Sequence, residues 1–168
     1  MRSTRPLEER VAERALTVAR RTALGILGDP EAAADVAQEV AVIALRRRHR
    51  LKDPDRLDAW LHTVAARAAL RHHRSAASRR RREQAHAAAA PRSEELESGL
   101  SDLLALLAGL PPQERAALTL RYVHDLPDEA IARALGCREG TVRSLLSRGR
   151  TTLREHLAPE HSARIDHA

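Results

Sequence analysis

Seven residues near the end of this chain, Arg138, Arg143, Ser144, Ser147, Arg148, Arg150 and Thr151, fall on or beside one face of a single predicted helix. Guanidinium groups bind phosphate oxygens and the O6 and N7 edge of guanine, and hydroxyls bind either. A helix with such an outer face has the chemistry needed to lie in a DNA major groove. A second concentration of cations, residues 71–82 (RHHRSAASRRRR), holds six arginines and two histidines with no acid. Wound into a helix, it would grip phosphates by charge and counterion release.

The elements that must position these groups are legible in apolar spacing and breaks. Residues 110–157 read as a helix-turn-helix. Pro111 and Pro112 suit a first helical turn, and Ala116, Leu120 and Val123 make one face of a helix ending near His124. Residues 125–128 form a corner. A second helix turns Ala130, Ile131, Ala134 and Leu135 inward and stops at Gly136, a residue type that takes the left-handed conformation readily. A third, from Gly140, carries Val142, Leu145, Leu146, Leu153 and Leu157 toward the first two, leaving the arginine and hydroxyl face outside.

Upstream, residues 7–27 make a first long helix with Val11, Ala15, Val18, Thr22 and Ile26 on one face, ended by Gly28-Asp29-Pro30. Asp29 then caps a second helix, with Pro30 at its first position and Glu31 in its first turn, running to about His49. Ala33, Val36, Val40, Ile43 and Ala44 face its core, and its acids come early and its arginines late, as the helix dipole favours. A third helix starts near Arg56 with Leu57, Trp60, Leu61, Val64, Ala65, Ala68 and Leu70. Residues 83–99 read as a linker, 100–107 as a short apolar helix, and 158–168 as a loose polar tail.

Composition narrows the function. A net charge of +6 favours an acidic partner, for which nucleic acid is the first candidate. Of 29 Lys and Arg only Lys52 is lysine, a bias that reflects a GC-rich genome as much as binding. Aromatics are Trp60 and Tyr122 alone, so the core must be built from Leu, Ala and Val, which suits helical bundles. One cysteine, Cys137, excludes an internal disulfide and a cysteine-built metal site. Without a transmembrane span or secretory signal, the expected location is cytoplasmic. No phosphate-binding glycine loop and no nucleophile with a base at motif spacing is present, so an enzyme, a cofactor and a metal are not expected.

Taken in order, GDPEAAADVAQEV (28–40), DAWLHTVAARAALRHHR (58–74), LPPQERAALTLRY (110–122) and ALGCREGTVRSLLSRGRTTLREHL (134–157) resemble the extracytoplasmic-function (ECF) sigma factors of bacterial RNA polymerase, over nearly the whole chain. The resemblance implies an all-α protein of two small domains, sigma region 2 at 7–82 and sigma region 4 at 100–157, joined by a flexible linker. It implies that Asp35, Gln38 and Glu39 dock on the beta-prime subunit of core polymerase, and that Lys52, Arg67, Arg71, His72 and Arg74 meet the minus-ten promoter element. For the minus-thirty-five element it implies Arg138, Glu139, Thr141, Arg143, Ser144, Ser147 and Arg148. Trp60 matches a family tryptophan that is mainly a packing residue. An anti-sigma factor joins core polymerase, through its beta-prime and beta subunits, and promoter DNA among the implied partners.

The chain also departs from the family pattern. Arg67 and Arg71 stand where Asn and Asp are frequent, Ala130 replaces a usual glutamate and Arg138 a usual serine or proline. Leu145 replaces a usual arginine, which on this reading removes a phosphate or base contact. Two alternatives to a sigma factor follow from the same residues: a stand-alone helix-turn-helix regulator, and a sigma-like adaptor that binds polymerase without opening promoters. The first would need a sensory domain where residues 28–74 lie. The second rests on the shortage of aromatics, since unpaired bases are normally held by stacking.

Overall fold

The computed structural model describes residues 6–50, 53–83 and 106–165, and side chains there outside 80–83 and 158–165. All its described secondary structure is helical: α1 (Leu7–Leu27), α2 (Pro30–Arg47) with a 3-10 turn at Arg48–Arg50, α3 (Pro54–Glu83), α4 (Pro112–Tyr122), α5 (Asp128–Leu135) and α6 (Glu139–Ile165). Lys52, the expected linker at 84–99 and residues 100–105 of the expected short helix lie outside the described residues; 106–108 are helical.

The boundaries follow from local chemistry. Gly28 ends α1 at φ 68° and returns its N–H to the Leu24 carbonyl at 2.8 Å. Asp29 starts α2 by accepting from the N–H groups of Glu31 and Ala32, at 2.9 and 3.2 Å. With two residues between them, α1 and α2 form a helical hairpin, onto which α3 packs. Val11, Ala15, Val18, Thr22 and Ile26 of α1 are all buried, as are Ala33, Val36, Val40 and Ala44 of α2. Leu61, Ala65, Ala66 and Ala69 fill the third side.

The second bundle is α4 to α6. Ile131, Val142 and Leu120 are its fully buried large residues, and Gly149 lets α6 approach α4 closely: a Cβ there would meet Leu118 at 2.8 Å. Three expectations change here. Helix α4 ends at Tyr122, before His124, so Val123 leaves the apolar face and is 40% exposed, while Asp125 takes a left-handed φ of 52° to make the corner. Leu157, expected on the inner stripe, is 48% exposed. The helix also continues to Ile165 through residues expected to be a loose tail, carried by helix formers such as Ala163 and Arg164.

The two bundles touch. Helix α1 packs on α4, and α3 packs on α5 and α4, so that one hydrophobic cluster runs through both. A Cβ added at Gly25 on α1 would lie 2.5 Å from Thr119 Oγ1 on α4. Sequence periodicity gives no sign of this contact, since each bundle already has a complete inner face.

Candidate nucleic-acid and polymerase interfaces

Helix α6 presents its polar face outward as its spacing demands. Thr141, Arg143, Ser144, Ser147, Arg148, Arg150 and Thr151 are exposed, as are Arg138 and Glu139 at its start. Gly140, Arg143, Ser144, Ser147 and Arg148 line a shallow groove on this face. Leu145 belongs to the opposite side: it is 6% exposed, in the core with Val142 and Leu146. An arginine's absence at 145 therefore takes nothing from the outer face of this helix, and the replacement is a packing residue.

The expected polymerase-binding residues sit together on α2. Asp35, Gln38 and Glu39 are all exposed on the side away from Val36, Ala37 and Val40. Glu39 accepts from Arg71 Nη2 of α3 at 2.7 Å, with both side chains about half exposed. A pair of this kind contributes little stability, about 0–1 kcal/mol. It does tie the exposed acidic face of α2 to the start of the basic run.

The expected minus-ten residues divide. Arg74 is exposed and His72 half-buried along α3. Arg71 holds Glu39. Arg67 bends toward the second bundle, where its Nε donates to the Ala134 carbonyl at 3.1 Å and its Nη2 to the Arg133 carbonyl at 3.0 Å. Those carbonyls end α5 and have no partner within it, and a cation beside them suits the negative end of the helix dipole. Trp60 is half-buried with the Arg47 guanidinium 5.8 Å from its ring centre, a packing position.

Sequence reasoning missed the polar groups buried between the bundles. His124, just past α4, lies with its ring centre 4.5 Å from that of His62 on α3, and its Nε2 is 2.8 Å from Thr22 Oγ1 on α1. The Thr22 hydroxyl donates to the Val18 carbonyl at 2.8 Å, so its oxygen is left to accept from a protonated Nε2. Burial, reinforced by His62, Arg21 and Arg14, lowers the His124 pKa to about 4, against the pull of Asp58. Burial also lowers that of His62. Asp58 is held below the ordinary carboxylate range by Arg14, whose Nε donates to it at 2.7 Å. Buried His62 Nδ1 and Thr119 Oγ1 at this contact, and Arg115 Nε on α4, have no hydrogen-bond partner among the described residues. Each such atom costs about 1–3 kcal/mol, which a permanent core avoids.

A histidine kept neutral by burial makes the packed form bind fewer protons than the separated form. The contact is therefore intact above the ordinary histidine pKa of 6.5 and weakens as pH falls toward about 4. Small-angle scattering should show the radius of gyration growing over that window, and His124→Gln should reduce the pH dependence, leaving the part carried by His62. A radius unchanged between pH 7 and 4.5 would contradict this.

Two family models match the chain. Residues 10–79 match the family described as Sigma-70 region 2, and residues 100–153 that described as Sigma-70, region 4. The ECF RNA polymerase sigma factor SigE of Mycolicibacterium smegmatis is 34% identical over 151 residues, 85% of this chain and 58% of that protein. The RNA polymerase sigma-E factor of Streptomyces avermitilis is 30% identical over 138 residues, 82% of this chain and 77% of that one. The chain belongs to the sigma-70 family, in its ECF group. This sigma factor spans little more than half the length of the Mycolicibacterium relative. Its fold is shared by the sigma factor RpoE from Bartonella quintana, solved in complex with the anti-sigma factor NepR. The TM-score is 0.69, with 23% identity, covering 89% of this chain and 96% of that one. The match over residues 10–79 removes the stand-alone regulator, which would need a different first domain. No described helix is long and apolar enough to cross a membrane.

Proposed function

We propose that this chain is a promoter-specificity subunit of bacterial RNA polymerase. Asp35, Gln38 and Glu39 dock on core polymerase. Lys52, Arg67, Arg71, His72 and Arg74 contact the minus-ten element. Arg138, Glu139, Thr141, Arg143, Ser144, Ser147 and Arg148 meet the minus-thirty-five element. Region 2 spans residues 7–82 and region 4 residues 100–157, and the protein works in the cytoplasm, catalysis being left to the polymerase. The observation that carries this reading is the uncovered arginine and serine face of α6 on a helix-turn-helix that matches region 4. An anti-sigma factor is a fitting further partner, as the Bartonella RpoE structure holds one.

The same reading requires the two bundles to part. By their names the two promoter elements lie roughly 25 base pairs apart, about 85 Å at 3.4 Å per base pair. Arg67 of the minus-ten helix touches the end of α5, a few residues before the minus-thirty-five helix begins. Both elements cannot be read from that arrangement. The expected linker, residues 83–99, can span about 60 Å at full extension, which together with the bundles' own size covers the distance. Unsatisfied polar atoms at the contact support a joint that opens at small net cost, because water satisfies them once it does.

The test is to mix the purified chain with core RNA polymerase from a GC-rich bacterium, follow co-elution, and sequence transcripts from a fragmented genomic library. Co-elution with defined start sites is expected. Co-elution without transcripts would point to the adaptor instead, and failure to co-elute would overturn the reading.

A further inference from the structure

In the shallow groove of α6, Arg148 is tied to another helix. Its Nε donates to Glu114 Oε1 at 3.0 Å, from 34 residues away in the first turn of α4. The Glu114 side chain is 8% exposed and that of Arg148 is 60% exposed, so the carboxylate is anchored in the fold and the guanidinium reaches outward from it. The groove's other groups are held differently. Ser144 returns its hydroxyl to the Gly140 carbonyl on its own helix at 3.0 Å, and Arg143 has no ion pair among the described residues.

We infer that Glu114 is a positioning residue for minus-thirty-five recognition: by holding Nε it aims the two terminal nitrogens of Arg148 at a base edge. Arg148 is then the base-selective arginine of the face and Arg143 a phosphate-gripping one. The inference deepens the reading of α6 as the minus-thirty-five reader and rests on it.

A free arginine side chain carries rotamer entropy, and bidentate contact to guanine O6 and N7 spends it. Fixing Nε beforehand reduces that loss and leaves the paired terminal N–H groups facing outward. A phosphate clamp has the opposite need, because a carboxylate 3.0 Å away offsets the charge that attracts DNA. A buried acid behind an exposed arginine lowers general affinity and sharpens geometry. Placed in the first turn of α4, it also suits the positive end of that helix.

The test uses the full chain in holoenzyme with core RNA polymerase, on a promoter pool randomised through the minus-thirty-five element, with sequencing of transcribed templates. Arg148→Ala is expected to flatten the preference at one base pair about tenfold, within the range for a bidentate contact. Glu114→Ala should flatten the same pair by a comparable factor, and Glu114→Gln by less, since a neutral acceptor remains. The double variant Glu114→Ala with Arg148→Ala should be no flatter than Arg148→Ala alone. Binding to a non-specific duplex should be unchanged or tighter in the Glu114 variants.

A Glu114 variant that lowers transcription evenly across all positions together with its melting temperature would show structural support only, and overturn the inference. So would flattening at a different base pair from that of Arg148. If Arg148→Ala flattens a pair and Glu114→Ala does not, the inference fails and the reading of α6 stands. If neither Arg143→Ala nor Arg148→Ala changes preference or yield, the reading itself fails.

Discussion

A disulfide formed in the Gly25→Cys, Thr119→Cys variant should abolish promoter-directed transcription, and a reductant should restore it. The two positions face each other across the contact between α1 and α4. A Cβ built at Gly25 lies 3.1 Å from Thr119 Cβ, so a shift of a few tenths of an ångström reaches the usual disulfide range of about 3.5–4.5 Å. The native thiol is removed with Cys137→Ser to prevent wrong pairing. Oxidised protein keeps Arg67 on the α5 carbonyls and the two bundles side by side, so on the proposed reading it cannot reach elements about 85 Å apart. We expect at least about a hundredfold less transcript from the oxidised form, set by the residual reduced fraction. Equal transcription from oxidised and reduced protein would mean that the bundles need not part.

Glu39→Arg should weaken association with core polymerase about thirtyfold or more. Reversing a charge within a complementary interface places like charges together at a cost of several kcal/mol. Here it also sets two arginines against each other, because Arg71 loses the carboxylate it holds at 2.7 Å. The fold should be nearly indifferent: both side chains are about half exposed, and such pairs contribute at most about 1 kcal/mol. Arg148→Ala provides the reciprocal, keeping polymerase affinity while losing promoter yield. Titration of core polymerase against each labelled variant, beside a thermal melt, separates the two effects. Loss of polymerase binding in the arginine variant would contradict the division of labour between α2 and α6.

What could be read from the sequence was whatever depends on a single element. Gly28, Asp29 and Pro30 bound α1 and α2 because caps act within a turn or two, and the inner faces of α1, α2 and, short of Leu157, α6 follow from spacing alone. The outer face of α6 was legible for the same reason. Leu145 was misjudged when matched to a family string, although its place on the apolar stripe with Val142 and Leu146 already put it inside. The contact between bundles was not legible: His62, Thr119 and His124 are polar, isolated and at no motif spacing, and only the packing of α1 and α3 on α4 and α5 brings them together. Arg67 is a minus-ten residue by resemblance, and its carbonyl partners on α5, 66 and 67 residues away, could not be foreseen from that match. Glu114 shows the same limit, since its pairing with Arg148 depends on how α4 crosses α6.

The distance between the two bundles can be measured by pulsed electron resonance with spin labels at Glu31→Cys on α2 and Glu129→Cys on α5, both exposed, in a Cys137→Ser background. In the free chain at neutral pH one short, narrow distance is expected. In holoenzyme on a promoter it should lengthen by about 40 Å or more, in keeping with the spacing of the two elements. The short distance persisting in a complex that initiates transcription normally would contradict the account.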